Sequence, residues 1–344
     1  MRVLIVGNRG GTNIGERFEI AARSLQIDVQ LSESRLAMEG PAMIQKLNWW
    51  FRGRRPTRLL EFGNELVQSC KKFRPHTLLS TGIAPIDKNS LRELKELNIR
   101  RINYLTDDPF NPAHHASWFL EALPYYDHVF SVRKSNLNDL KKLGCPQVNY
   151  LPFGYAPELH YPETPATVEE QSKFGCDIVF YGGADKDRFL YARALVKAGF
   201  DVALYGDYWE RYSETRAHFR GYADPRTVRL AIGGAKVSLC LVRRANRDGN
   251  SMRTFEIPAI GGCMLTEGTE EHQEIFGEEG KTVVYFKAIP EMIEKLRWLL
   301  SNGEERQRLA QAAHNLVIKN GHTYNDRLLT MLNVKQGSEI WMSG

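Results

Sequence analysis

Few features of this 344-residue sequence point to a metal, an oxidising compartment or a membrane span. Its five cysteines, Cys70, Cys145, Cys176, Cys240 and Cys263, are scattered, odd in number and form no CxxC pair. That pattern excludes a disulfide framework and a cysteine zinc site, and reads as small core residues of a reduced protein. His114 and His115 are adjacent, so on a helix they point in different directions, and no third ligand is in register. No metal site is expected. No apolar run approaches the roughly twenty residues of a membrane helix. The N-terminal MRVLIVGNRGG has an apolar run too short for a signal peptide, so the expected location is the cytoplasm. A dominant charge is lacking as well. The 46 basic residues are interspersed with 41 acidic ones for a net charge of +5, which gives no field that would favour nucleic acid. Neither glycine-rich loop has the GxGxxG form used by nicotinamide enzymes, and no internal repeat is evident.

What is present is ordinary globular composition, 42% hydrophobic and 25% charged, in a chain long enough for two domains. Residues 3–6, VLIV, read as a buried parallel strand, followed by a glycine loop and a helical pattern over 16–25. Strand-like runs recur at 76–82, 100–108, 128–132 and 148–154, separated by helical stretches at 90–97 and 134–143. Prolines crowd 152–165, as in a linker. The pattern restarts with CDIVFYGG at 176–183, a helix to 198 and a strand at 201–206. Further strands are expected at 237–242, 263–266 and 282–285, and closing helices at 290–300, 304–319 and 324–332. The expected architecture is α/β, with two Rossmann-like domains of parallel strands and ligands at the strands' carboxyl ends. Its expected parts are residues 1–155, a proline-rich linker 156–175, a second domain 176–325, and a C-terminal helix and tail 326–344 that could pack on the first domain.

The run RRANRDGNSMRTFEIPAIGG, 243–262, carries Arg243, Arg244, Asn246, Arg247, Asp248, Arg253 and Glu256 ahead of an apolar, glycine-ended segment. Guanidinium forks suit phosphate oxygens, and carboxylates suit ribose or sugar hydroxyls. The pattern predicts Asp248 in a loop and Glu256 in the first turn of a helix, where the dipole favours an anionic ligand. Gly182 and Gly183 end a clean strand with Arg188 just beyond, a geometry that serves a diphosphate or simply a tight turn. Gly10 and Gly11 occupy the corresponding loop of the first half. Tyr205, Gly206 and Trp209 end the second strand of the second half, where an aromatic ring could stack on a base or fill the core. Asp107 and Asp108 follow a first-half strand, as a general base would, or as a turn before Pro109. Finally, LNWWFRGRRPTRLL sets Trp49, Trp50 and Phe51 beside Arg52, Arg54, Arg55 and Arg58. That composition fits peripheral contact with the inner face of a membrane, or aromatics packed on the first domain.

Taken together, Asn246, Asp248, Arg253, Phe255, Glu256, Pro258, Ala259 and Gly261, then Leu265, Glu271, His272 and Phe276, VVYF, LRWLL, GEERQRLA and GHTYNDRLL resemble the C-terminal half of CgeB-type, spore-maturation-like glycosyltransferases. FYGG with Arg188, VALYGDYW, YLTDDP and PFG fit the same pattern. The resemblance is dense over 176–332 and sparse over the first hundred residues. It implies a GT-B fold, two facing Rossmann-like domains, with a nucleotide sugar bound mainly by the second and an acceptor by the first. It further implies that Glu256 holds the ribose and that Arg253, Gly182, Gly183 and Arg188 face the diphosphate, with Tyr205 and Gly206 near the base. Asp248 stands where such enzymes carry a glutamate, a departure from the pattern. The expected activity is a metal-independent, hexosyltransferase-type transfer from a nucleotide-diphosphate sugar, with no cofactor, to a glycan, lipid-linked or protein acceptor in cell-surface or envelope polysaccharide synthesis. The alternative is a non-catalytic GT-B-like protein that binds a nucleotide or glycan.

Overall fold

The computed structural model describes residues 1–333. The chain divides into two compact units, one containing 1–152, 245–247 and the C-terminal helix, the other 153–244 and 248–323. The part of the expected C-terminal tail beyond 333 lies outside the described residues.

In the first unit, β1 (Arg2–Gly7), β2 (Asp28–Glu33), β3 (Thr77–Thr81), β4 (Arg100–Leu105), β5 (His128–Ser131) and β6 (Val148–Tyr150) form one parallel sheet in the order β2-β1-β3-β4-β5-β6. The central strands are buried along nearly their whole length because helices cover both faces of such a sheet, and the buried Asn103 side chain donates to Ser80 at 2.8 Å within it. The strand β2 is at the edge and only partly buried, so it lacks the continuous apolar run by which its neighbour β1 is recognised. The C-terminal helix Tyr324–Leu332 packs on the helix Ile14–Ser24 of this unit, where the Phe18 ring meets Tyr104 and Tyr324 edge to face at 5.2 and 5.6 Å. Tyr104 and the buried Arg327 both donate to the carbonyl of Pro152, each at 2.9 Å, anchoring the last residue of the unit's first segment.

In the second unit, β7 (Cys176–Tyr181), β8 (Val202–Tyr205), β9 (Ala235–Cys240), β10 (Met264–Glu267) and β11 (Val284–Phe286) form a parallel sheet in the order β11-β10-β9-β7-β8. Ile178, Phe180, Leu204, Leu239, Leu265 and Phe286 pack there with Trp209 and with Leu296 and Leu299 of the helix Ile289–Ser301. The stretch expected as a linker is instead part of this unit. Arg229 donates to the Glu163 carboxylate and the Leu159 carbonyl at 2.7 and 3.0 Å, and residues 168–174 form a helix capped by Thr167. Proline interrupts secondary structure without preventing packing, which is why composition alone suggested a spacer.

Candidate functional site

The carboxyl end of β7 carries a tightly constrained backbone. Gly182 continues the sheet by donating to the Tyr205 carbonyl at 2.8 Å, and its own carbonyl accepts the Trp209 indole N–H at 2.8 Å. Gly206, at φ +112°, lies so close that an added Cβ would stand 2.7 Å from the Gly182 carbonyl carbon and 3.0 Å from the Gly183 nitrogen. A side chain at Gly182, φ +142°, would run into the Arg253 guanidinium. These glycines therefore permit two backbone loops and an arginine to meet in one place. The chain then enters the helix Lys186–Lys197, whose N-cap Asp185 accepts the Arg188 amide at 2.9 Å. The first turn of such a helix presents backbone N–H groups with no acceptor inside the helix.

Three guanidinium groups converge here. Arg188 is only 4% exposed and donates to the Gly183 carbonyl at 3.2 Å, while its Nε has no hydrogen-bond partner. Burial, followed by the charges of Arg253 and Arg243, pushes its pKa down to about 10, against a smaller opposing influence of Asp185 and Asp248. Arg253 donates to the Tyr181 carbonyl and stacks over the Phe180 and Tyr181 rings. Arg243 and Arg188 share one carboxylate, Asp185, at 3.7 Å from each. Among the described residues no closer carboxylate faces any of the three. Other arginines of the same run are neutralised. Arg244 is bound to Glu267 and the Tyr191 hydroxyl, and Arg247 to Asp108 and Asp139. Positive charge held together against desolvation and mutual repulsion is what an anion site requires.

Glu256 lies in the first turn of the helix Arg253–Ile260, as its sequence predicts. Its Oε2 accepts the Tyr181 hydroxyl at 2.8 Å, and Oε1 stands 3.6 Å from His160 Nε2. Burial, then the Glu256 charge, raises the Tyr181 pKa far above that of a free phenol, so this hydroxyl remains a donor. Sequence reasoning missed both Tyr181 and His160. Tyr181 was findable as the last residue of β7, while His160 lies among prolines with no local signal. The loop before the helix is held from beneath. Asp248 and Arg243 exchange contacts at 3.3 Å between each backbone N–H and the other residue's carbonyl or carboxylate, and Asn250 donates to the buried Glu271. His272 Nδ1 lies 2.7 Å from the Glu267 carbonyl and must donate to it, which leaves Nε2 to accept from Thr254 at 2.9 Å. Burial holds this imidazole neutral by lowering its pKa.

Several expected site residues are placed otherwise. Tyr205 is buried within the sheet and offers no open ring face to a base, and Trp209 is a core residue that locks the Gly182 loop. Asn246 groups with the first unit, buried with its side-chain Oδ1 accepting from Asn111 at 2.7 Å. Gly10 and Gly11 have positive φ in the loop after β1. The Gly10 amide is taken by Glu16 at 3.1 Å, and the loop's Arg9 is neutralised by a two-pronged pair with Glu19, both bonds 2.7 Å. In the first unit Asp108, 1% exposed, is gripped by Arg247 at 2.7 and 3.0 Å and accepts the Phe110 amide at 3.0 Å. Both oxygens are thus occupied, and the contact with the Phe110 amide is the one that the turn reading of Asp-Asp-Pro expects. Asp107 is half-buried at the end of β4, and its side-chain contact is with Thr106 at 3.2 Å. Among the described residues no group of His, Cys, Asp and Glu could hold a metal ion. A separate cavity of about 360 Å³ is lined by Tyr285, Glu278, Glu279, Glu291 and Lys295, but its lysine is already paired with Glu279 and Glu291.

Solved structures place this architecture. A sucrose-phosphate synthase from Thermosynechococcus elongatus superposes with a TM-score of 0.66 at 13% identity, over 97% of this chain and 98% of that one. HepE of Anabaena, solved in complex with UDP-glucose, gives 0.66 at 11% identity over 97% and 99%. A glycosyltransferase from Rickettsia africae gives 0.65 at 14% identity over 96% and 97%. No curated protein matches the sequence. The chain has the GT-B glycosyltransferase fold, and its residues 186–333, which include Arg188, Arg243, Arg253 and Glu256, match the family described as glycosyl transferase-like.

Proposed function

We propose that this protein is a CgeB-type glycosyltransferase that binds a nucleotide-diphosphate sugar on its second unit and transfers the sugar to a hydroxyl acceptor. The observation that carries the reading is the cluster of Arg188, Arg243 and Arg253, under-neutralised and set at the carboxyl end of β7 beside a helix N-terminus. The family match over 186–333 and the UDP-glucose bound by a neighbour of the same fold support it.

In this reading the diphosphate lies against the three guanidinium groups and the first turn of Lys186–Lys197. As the bond between the anomeric carbon and the phosphate oxygen breaks, negative charge grows on the leaving diphosphate, and cations already held in place, Arg188 among them buried, stabilise it with little reorganisation. Arginines would thus carry the charge that a cation carries in other transferases. Glu256, steadied by Tyr181, accepts from ribose hydroxyls. If transfer inverts the sugar, the acceptor hydroxyl must lose its proton as its oxygen attacks, and Asp107, whose side chain contacts Thr106, is the candidate base. If transfer retains configuration, no such base is needed.

Thermal unfolding of wild type, Arg243→Ala and Glu256→Ala against UDP, GDP, TDP, ADP, CMP and their sugar conjugates tests this. A ligand at one hundred times its Kd adds about 2.7 kcal/mol, a shift of a few degrees. The expected result is a shift with one nucleotide family that both variants diminish. No shift with any nucleotide from folded protein would overturn the reading. Donor binding without turnover on any acceptor would instead identify a non-catalytic scaffold.

A further inference from the structure

The helix Ala42–Phe51 of the first unit reverses the usual pattern of a surface helix, which turns its apolar stripe inward. Its buried residue is the polar Asn48, whereas Met43, Ile44, Leu47, Trp50 and Phe51 are exposed. At 3.6 residues per turn these apolar side chains share an arc of about 120°. Met43 and Trp50 are each 75% exposed and Phe51 81%, and Leu36 and Met38 on the preceding turn are exposed too. The surrounding charge is of one sign. Between Glu39 and Glu61 the sequence has no acid and carries Lys46, Arg52, Arg54, Arg55 and Arg58. Arg58 is neutralised by Glu61 and Glu65, and Arg54 lies 4.9 Å over the Trp49 ring. Lys46, Arg52 and Arg55 have no carboxylate partner among the described residues.

We propose that this helix docks the protein on an anionic lipid bilayer. Trp50, Phe51, Met43, Ile44 and Leu47 enter the boundary between headgroups and acyl chains, and Lys46, Arg52 and Arg55 meet acidic headgroups. A second copy of the chain is a poor occupant, because a two-fold contact through this patch would set one basic rim against another. The docking does not depend on nucleotide binding, so its failure would leave the proposed transferase reading untouched.

The test is cosedimentation of the full chain with phosphatidylcholine vesicles, with and without phosphatidylglycerol, at low and high salt. Binding is expected to the anionic vesicles and to weaken at high salt. Trp50→Ser with Phe51→Ser should lower the partition coefficient by about tenfold or more. Arg52→Gln with Arg55→Gln should lower it by about fivefold per residue. Trp50, Phe51 and Arg52 are exposed and Arg55 is half-buried, and thermal unfolding at the wild-type midpoint confirms that the variants fold. Absence of vesicle binding, or binding that the Trp50 and Phe51 changes leave intact, would overturn the proposal. So would self-association at sedimentation equilibrium that those changes abolish, without vesicle binding, since that would assign the face to a second copy.

Discussion

Arg188 bears a positive charge where burial and two neighbouring guanidinium groups oppose it. Removing that charge should therefore relieve the ligand-free protein while harming the liganded one. Arg188→Met is expected to leave the thermal midpoint of the free protein unchanged or higher, yet to weaken nucleotide-diphosphate binding by about tenfold or more, the scale of one charge-assisted hydrogen bond. Calorimetric titration beside a melting curve checks both. The two adjacent aspartates should separate cleanly. Asp108→Asn loses a pair with Arg247 whose carboxylate is buried and whose guanidinium is partly exposed, and should cost the first unit about 1–3 kcal/mol in urea unfolding. Asp107→Asn should lower turnover while sparing donor affinity and stability. A variant with full turnover would return Asp107 to a turn-forming role.

Loops and helices add constraints that single residues do not have. The loop after β7 is fixed by the glycine after β8, since Gly206 sits at φ +112° within 2.7 Å of the Gly182 backbone for any added Cβ. Gly206→Ala should force these loops apart, at a cost of about 1–3 kcal/mol, and weaken nucleotide binding together with stability. Gly10→Ala meets no neighbour within 4 Å and is strained only by its positive φ, so its effect should be smaller. Comparing the two melting temperatures checks the contrast. The segment before Glu256 relies on the helix Glu270–Phe276, through Asn250 with Glu271 and Thr254 with His272. Its charged residues announce a site, but which of them are spent on holding the loop depends on a helix that follows in the chain.

Across the whole molecule, two buried histidines, His272 in the second unit and His128 in the first, have pKa values lowered by burial. In the unfolded chain both titrate near about 6.5. Below that pH the unfolded state binds more protons than the folded one, so stability is fully present above about pH 6.5 and declines as pH falls. Urea unfolding between pH 8 and 5 should show this decline, and His272→Gln should flatten it. The parallel sheets, the places of most strands along the chain and the helical position of Glu256 were legible because buried strands such as β1 and β7 carry apolar runs that end at glycine loops. The edge strand β2, half-exposed, left no such run. The sequence by itself also determined that arginines and carboxylates would be concentrated between 243 and 256. Only the tertiary structure decided which of those charges remain unmatched. Arg244 and Arg247 found carboxylates distant in sequence, whereas Arg243 and Arg253 were brought to Arg188, because neutralisation depends on distance in space and desolvation, neither of which is a property of neighbours along the chain.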